Sequence, residues 1–368
     1  MDDQDFVDTQ VAHRLGVIGG ARFSLSDAAR AHAGAVASGG ALAWNAAARA
    51  PYPVNSWLPN PEQPELPYCT ARGARPEKSQ GALRSLLRAG ADFDLMIDMQ
   101  DRRVRSLETP EGEVFPTFVF NRLEGAKGRI LWPMPTSLHE IGAEAFLGPF
   151  PDPDAKPFAE RSPTVVWRGG MTGRSGGRGD VRLEAFRFQK LFVDVDSGRR
   201  ALSWAQKKLH DFPRFAFVTR LAGDPRADVA LIAHDWLHPL SRPVLAPVTR
   251  PPLPQRAQAR HKYIAVLRGA DLGSSFFWTM NSGSLGLVME TPWESFASVH
   301  FKPWQHYVPF KVDMSDFDER FAWCESNPAA CAEMVQAAGQ MCKYLARQDL
   351  RDLADRALIH ALRAALGM

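Results

Sequence analysis

One junction constrains this chain more than any other feature. Thr164-Val165-Val166-Trp167 reads as a strand, six glycines follow between Gly169 and Gly179, and a helical run through Leu183-Glu184-Ala185-Phe186 closes the unit. A β-branched run that enters bare backbone and leaves as a helix is the building unit of a parallel α/β sheet. The same kind of unit recurs at Tyr263-Ile264-Ala265-Val266-Leu267, which meets a glycine-bearing turn at Arg268-Gly269, and Ser284-Leu285-Gly286-Leu287-Val288-Met289 supplies a further strand. The 368 residues, 45% of them hydrophobic, suffice for two packed α/β domains.

Upstream, Asp92-Phe93-Asp94-Leu95-Met96-Ile97-Asp98 alternates polar and apolar, the period of a half-buried strand, and is preceded by a helix over 79–89. Thr117-Phe118-Val119-Phe120 is a second strand, and Ile130 to Pro135 reads as a loop because of its prolines. The segment PFPDPDAKPF within 148–162 reads as a linker, so the main domain boundary falls there. Ser315-x-x-Asp318 predicts a capping box for a helix holding Phe317, Phe321 and Trp323, and Asn327-Pro328 opens the next helix as a cap followed by a first-turn proline. Apolar residues three and four apart from 332 to 366 predict that the chain closes in helices.

Lys and Arg number 44 against 41 Asp and Glu. That balance lacks the concentrated positive charge that binding a nucleic-acid backbone demands. No apolar run reaches the roughly 18 residues a spanning helix needs, and the acidic start MDDQDFVDTQ lacks the pattern of a secretory signal. The expectation is a cytoplasmic protein with at most peripheral contact at the inner face of a membrane. Cys69, Cys324, Cys331 and Cys342 have no metal-site spacing and read as reduced structural thiols.

Trp167-Arg168-Gly169-Gly170-Met171-Thr172-Gly173 holds the parts of a phosphate cradle: bare amides, a helix start and nearby guanidinium groups. Its spacing matches neither a P-loop nor a dinucleotide fingerprint, so an unliganded glycine loop stands beside the cradle reading. Asp101 lies just beyond a strand end, where ligands of open α/β sheets bind. A carboxylate there suits a general base, or else it caps a helix or pairs with Arg102, Arg103 or Arg105, and Asp98 shares the ambiguity. Asp194-Val195-Asp196 imitates a metal-binding DxD but reads as solvated acid in a surface turn. His234-Asp235 and His238 have no third ligand at a telling spacing, so no metal site is expected.

The carboxyl half carries a further series of landmarks: His261 to Gly269, Ser274-Ser275-Phe276 leading to Ser282-Gly283-Ser284-Leu285, Lys302-Pro303-Trp304-Gln305-His306-Tyr307-Val308-Pro309, and Asp313-Met314-Ser315-Asp316. Together with Ile97-Asp98-Met99-Gln100-Asp101, Leu131-Trp132-Pro133 and Trp167-Arg168-Gly169, the series resembles glycosyltransferase family 90. That family holds capsule-associated and lipopolysaccharide-modifying transferases and protein O-glucosyltransferases. The likeness runs from about 92 to about 345, and residues 1–90 take no part in it.

The resemblance implies an α/β fold of the GT-B type, two Rossmann-like domains with a cleft between them. These would be an acceptor-side domain over 1–155, a nucleotide-sugar domain over 156–345, and a terminal helix over 346–368 packing back on the first. It implies a UDP-sugar donor, a glycan or glycolipid acceptor, inverting transfer, and no cofactor or metal. Asp101 inherits the role of base. Arg168, Gly169, Gly170, Thr172, Arg178 or Arg182, and Arg268, Ala270, Asp271, Gly273, Ser274 and Ser275 fall where the family contacts the donor, and Trp132 and Pro133 fall near the sugar and acceptor. In the Lys302 to Pro309 block, Trp304, Tyr307 and Pro309 read as packing residues and His306 as an internally hydrogen-bonded one.

One departure stands out. The protein-modifying branch carries an arginine and a lysine in Ser-Phe-Arg-Phe-Lys, where this chain has Gly273-Ser274-Ser275-Phe276-Phe277-Trp278, so a diphosphate cation is missing there, and either Arg268, Arg178 or Arg182 replaces it or serine hydroxyls and amides suffice. With it go the lack of a signal and of paired cysteines, which together favour a bacterial-type surface-glycan enzyme over a lumenal one. The rival reading is a non-catalytic nucleotide-sugar or carbohydrate binder of the same fold.

Overall fold

The computed structural model describes residues 2–18, 42–51, 57–58, 68–69, 76–99, 107–108, 114–134, 156–172, 188–234, 237–269 and 271–368. The chain divides into two compact units. The first comprises Met1–Ala145, Trp293–His300 and Tyr344–Met368, the second Phe146–Pro292 and Phe301–Lys343.

The first unit holds a five-stranded sheet in the order Arg129–Leu131, Thr117–Val119, Leu95–Ile97, Leu42–Asn45, Ala50–Pro51. The first three strands run parallel, while Leu42–Asn45 is antiparallel to Leu95–Ile97 and turns back into Ala50–Pro51. Part of the stretch before residue 90 thus completes this sheet. The helix Pro76–Arg88 buries Ala82, Leu83 and Leu86 against Leu95, Ile97 and Phe118. The alternation at 92–98 predicts a half-buried strand, yet Leu95, Met96 and Ile97 are all buried because this strand lies centrally in the sheet. Nor is 130–135 all loop: Arg129–Leu131 is a strand, and the ladder ends only where Pro133 withholds an N–H.

The helix Asp3–Leu15 is capped by Asp2, whose carboxylate accepts from the Asp5 N–H at 2.8 Å, and its first turn is acidic. It packs on the helix Gln348–Leu366, which ends on the left-handed Gly367. Trp293–Ser295 adds a short strand antiparallel to Asn121–Leu123.

The second unit is built on five strands, all parallel, in the order Ala227–Ile232, Ser162–Gly170, His261–Val266, Leu285–Met289, Val308–Phe310. Numbered along the chain this is the order 2-1-3-4-5 of a doubly wound sheet. Its central strands are buried on both faces, and Val165, Trp167, Tyr263, Ala265, Leu285 and Leu287 join the helices Phe188–Asp196, Leu202–Leu209 and Pro213–Arg220 in one core. The leading strand is longer than its sequence reading and runs on through Arg168, Gly169 and Gly170. The predicted helix through 183–186 lies outside the described residues.

Asp194 is not the solvated turn acid that its surroundings suggest. It sits in the helix Phe188–Asp196, only 6% exposed, and pairs with Arg199 at 2.6 Å and Lys190 at 3.0 Å. The capping box of Ser315 and Asp318 also fails to form. Asp316 heads the helix Phe317–Ser326 while its carboxylate accepts from the Lys311 N–H at 2.9 Å, and Asp318 turns instead to Arg220 at 2.7 Å. Pro328 does open the helix Pro328–Ala346, although the Asn327 side chain donates back to the Trp323 carbonyl at 2.8 Å rather than capping forward. Cys324, Cys331 and Cys342 are buried and unbridged.

Candidate functional site

Open α/β sheets bind ligands outside the carboxyl ends of their strands, at the point where neighbouring connections leave in opposite directions. In the second unit that point lies between Ser162–Gly170 and His261–Val266, which pair with each other while their sequence neighbours lie on opposite sides. Both strands end in glycine-bearing turns, so bare backbone is concentrated at the one place where the topology opens a crevice.

The local packing explains the glycines. A Cβ on Gly169 would lie 2.5 Å from the Trp167 ring, and one on Gly170 would lie 2.5 Å from His234 Nε2. At Gly273 a Cβ would meet the Leu267 carbonyl oxygen at 2.7 Å, a backbone atom with no freedom to withdraw. The first turn is closed by the Thr172 N–H donating to the Gly170 carbonyl at 2.9 Å. In the second, the Phe276 N–H donates to the Gly273 carbonyl at 2.9 Å, and Ser274 precedes the short helix Ser275–Met280. Asp271 is buried within the same turn.

A residue that sequence reading missed joins the two turns. Arg214, in the first turn of the helix Pro213–Arg220, donates through Nη1 to the Gly170 carbonyl at 2.9 Å and the Thr172 hydroxyl at 2.6 Å. Its Nε donates to the Arg268 carbonyl at 3.2 Å and its Nη2 to the Leu267 carbonyl at 3.3 Å. The guanidinium lies 5.7 Å from the Trp167 ring centroid. Burial pulls its pKa down to about 10, with the neighbouring Asp271 carboxylate acting in the opposite sense. Arg214 stands 44 residues beyond Gly170. Its only local signal is the Pro213 that starts its helix.

The other cations behave differently. The Arg168 guanidinium is drawn to the adjacent strand, donating to the Asp228 carbonyl and to Asp228 Oδ1, both at 2.7 Å, so Arg168 brings backbone rather than charge to the turn. Arg250 also reaches Asp228 at 3.0 Å. Burial raises the Asp228 pKa, but the Arg168 bond and the charges of Arg168 and Arg250 outweigh it and leave the net shift downward. Arg268 is half-buried, and burial lowers its pKa. Arg178, Arg182, Ala270 and Asp101 lie outside the described residues.

In the first unit, Asp98 is buried directly after the strand Leu95–Ile97, with its N–H donating to the Phe118 carbonyl at 2.8 Å. Trp132 is 0% exposed, edge-on to Phe118 at 5.7 Å and under the Arg14 guanidinium at 4.7 Å, with its Nε1 donating to the Ser85 hydroxyl at 2.7 Å. Its ring is therefore packed within the first unit. Pro133 beside it is half-buried.

In the Lys302 to Pro309 block, His306 is buried and its Nδ1 accepts from the Lys302 N–H at 2.9 Å, while Tyr307 packs on Phe276. Trp304 departs from pure packing. It adopts φ 63° and stays 40% exposed, with its ring against Trp323 at 5.0 Å and Arg320 at 5.1 Å. His238 stacks on Phe192. Among the described residues no three His, Cys, Asp or Glu side chains are gathered as a metal site would require, and no helix is long and apolar enough to cross a membrane.

Comparison with known proteins bears on this geometry. A family model described as glycosyl transferase family 90 matches residues 246–353, which include the turn after Leu267 and the Trp304 block. The O-glucosyltransferase LpsA of Dichelobacter nodosus is 26% identical over 173 residues, 46% of this chain and 52% of LpsA. Protein O-glucosyltransferase 1 of Rattus norvegicus is 30% identical over 81 residues, 22% of this chain and 21% of the rat protein. Uncharacterized protein 179R of Invertebrate iridescent virus 6 is 28% identical over 205 residues, 53% of this chain and 16% of the viral protein. The chain thus spans about half the length of LpsA and far less of the viral protein.

Proposed function

We propose, from the premise that the chain belongs to glycosyl transferase family 90 through residues 246–353, that it transfers a sugar from a UDP-sugar to a hydroxyl of a surface glycan or glycolipid. The observation that carries this reading is the meeting of two glycine-bearing strand ends at the switch point of the parallel sheet. Bare amides there suit a diphosphate, whose oxygens need several donors at close range. The two O-glucosyltransferases among the relatives support the reaction class.

In the proposed reaction the fold is of the GT-B type, the donor diphosphate is held at the glycine turns of the second unit, and no metal takes part. An acceptor oxygen attacks the anomeric carbon, its proton passes to the Asp101 carboxylate, and the bond to the diphosphate breaks with its electron pair leaving on UDP. Backbone amides and protein cations stabilise the charge that develops on that leaving group. One displacement inverts the anomeric centre. The base assignment rests on the resemblance of 97–101 to the family's strand that ends on an aspartate.

Incubation with a panel of UDP-sugars, with UDP release as the readout, tests the reading. Release from one donor that is abolished in Asp101→Asn is the expected result, and an Asp101→Asn variant that retains full turnover contradicts the base assignment. The second reading, a non-catalytic binder, draws on the absence of a cation at Ser274-Ser275. It requires UDP binding with no donor consumed under any acceptor.

A further inference from the structure

The turn at Gly273-Ser274-Ser275 lacks the cations found in the protein-modifying branch, and Arg168 is engaged by Asp228. We propose that Arg214, reached from the helix Pro213–Arg220, supplies the positive charge that holds the diphosphate of a nucleotide ligand at the two turns. The inference rests on the donor reading above and assigns its charge to a residue outside the region matched by the family model.

Three observations converge on it. First, Arg214 is bound to both turns at once, through the Gly170 carbonyl and Thr172 hydroxyl on one side and the Leu267 and Arg268 carbonyls on the other. An anion cradled by the amides of these turns therefore lies beside its guanidinium. Second, every one of those partners is a neutral oxygen, and among the described residues Arg214 makes no ion pair. Asp271 acts on it only at longer range. A half-buried cation without a bound counter-ion has lost part of its hydration, and an arriving anion recovers some of that cost as binding energy. Third, a guanidinium carries five N–H donors in a planar fork, and its four bonds to described residues leave one Nη2 hydrogen unassigned among them. The fork is already oriented, so little side-chain entropy remains to be lost when a phosphate oxygen takes that hydrogen.

Crowding fits the same picture. A Cβ on Gly269 would lie 2.7 Å from Arg214 Nη2 and 3.0 Å from the Thr172 hydroxyl, so the glycine at this point is what allows the arginine to cross between the turns.

The test is calorimetric titration of UDP, UMP and uridine into wild type, Arg214→Met and Arg214→Lys, each variant first checked for a cooperative melting transition well above the titration temperature. Wild type is expected to bind UDP more tightly than uridine. Arg214→Met should lose about ten- to a hundredfold in UDP affinity, less for UMP and nothing for uridine, with Arg214→Lys in between. That dependence on phosphate number separates a charge role from a scaffolding one. If Arg214→Met binds UDP as wild type does, or loses UDP and uridine in equal measure, the inference is overturned. Should Arg214→Met not fold, Arg214→Lys carries the same comparison. Wild type that binds no UDP at all is a different failure, because it removes the donor reading itself.

Discussion

Trp132, just after a parallel strand of the first unit, and Trp167, three residues before the end of one in the second, each have an arginine near the ring, Arg14 at 4.7 Å and Arg214 at 5.7 Å. The local chemistry is the same, but the treatment of charge differs. Arg14 is buried with its Nη1 on Asp355 Oδ1 at 2.7 Å, and its Nε donates to the Leu131 carbonyl at 3.1 Å. Among the described residues, Arg214 has only carbonyls and a hydroxyl as hydrogen-bond partners. One guanidinium is neutralised within its unit and serves to join the helix Asp3–Leu15 to the sheet and to the helix Gln348–Leu366. The other keeps its charge at a glycine-lined crevice. Resemblance at the level of a tryptophan under an arginine therefore says little about role until the counter-charge is traced.

The contrast breaks most readily through stability. Arg14→Ala removes the partner of the part-exposed Asp355 and the cation over Trp132, and since loss of one member of a fully buried pair costs about 3–5 kcal/mol, the lower end of that range is expected. Denaturant unfolding should show a loss of that order, and a smaller one for Arg214→Met, which leaves no carboxylate stranded. Equal or reversed losses would abolish the distinction.

Next in size is Gly273→Ala, which drives a methyl against the Leu267 carbonyl. It should cost about tenfold in UDP affinity, or about 1.4 kcal/mol. Gly125→Ala is its control: Gly125 has φ 72° and nothing within 4 Å of an added Cβ. That change should cost about 1 kcal/mol of stability through backbone strain alone and leave UDP affinity unaltered.

Trp132→Phe sharpens the first-unit side of the comparison. It keeps an aromatic face for Arg14 but deletes the bond to the Ser85 hydroxyl, an expected loss of about 1 kcal/mol. Unchanged UDP affinity should accompany it, and a tryptophan that contacted ligand directly would not behave so.

The smallest effect concerns pH. Asp228 has a folded pKa below its ordinary 3.8, so its contribution to stability is present above that value and fades as pH falls through the lower folded one. Asp228→Asn should flatten the acid limb of the stability curve there without touching uridine or UDP binding at neutral pH.

Much of the second unit was legible in the sequence because its signals are local. Val165-Val166-Trp167 and Tyr263-Ile264-Ala265-Val266 are apolar runs bounded by glycine turns, and spacing of three and four marks the helix Pro328–Ala346 and, in the first unit, the helix Gln348–Leu366. What escaped was decided by partners distant in sequence. Arg214 declares itself only once two strand ends lie beside its helix, and Trp293–Ser295 finds its ladder with Asn121–Leu123 in the other half of the chain. The capping box at Ser315 lost to competing bonds, since Asp318 gains an arginine and Asp316 an N–H that local pattern does not reveal. Asp194 changed from solvated to buried for a similar reason, as Lys190 one helical turn before it and Arg199 just beyond the helix both reach its carboxylate.

The claim that the second unit's turns, and not the Trp132 strand end, hold the nucleotide is tested most directly by amide hydrogen exchange with and without UDP. The account predicts added protection at 169–172 and 267–276 and none at 129–134. Exchange unchanged at both turns under saturating UDP, or protection confined to 129–134, would contradict it.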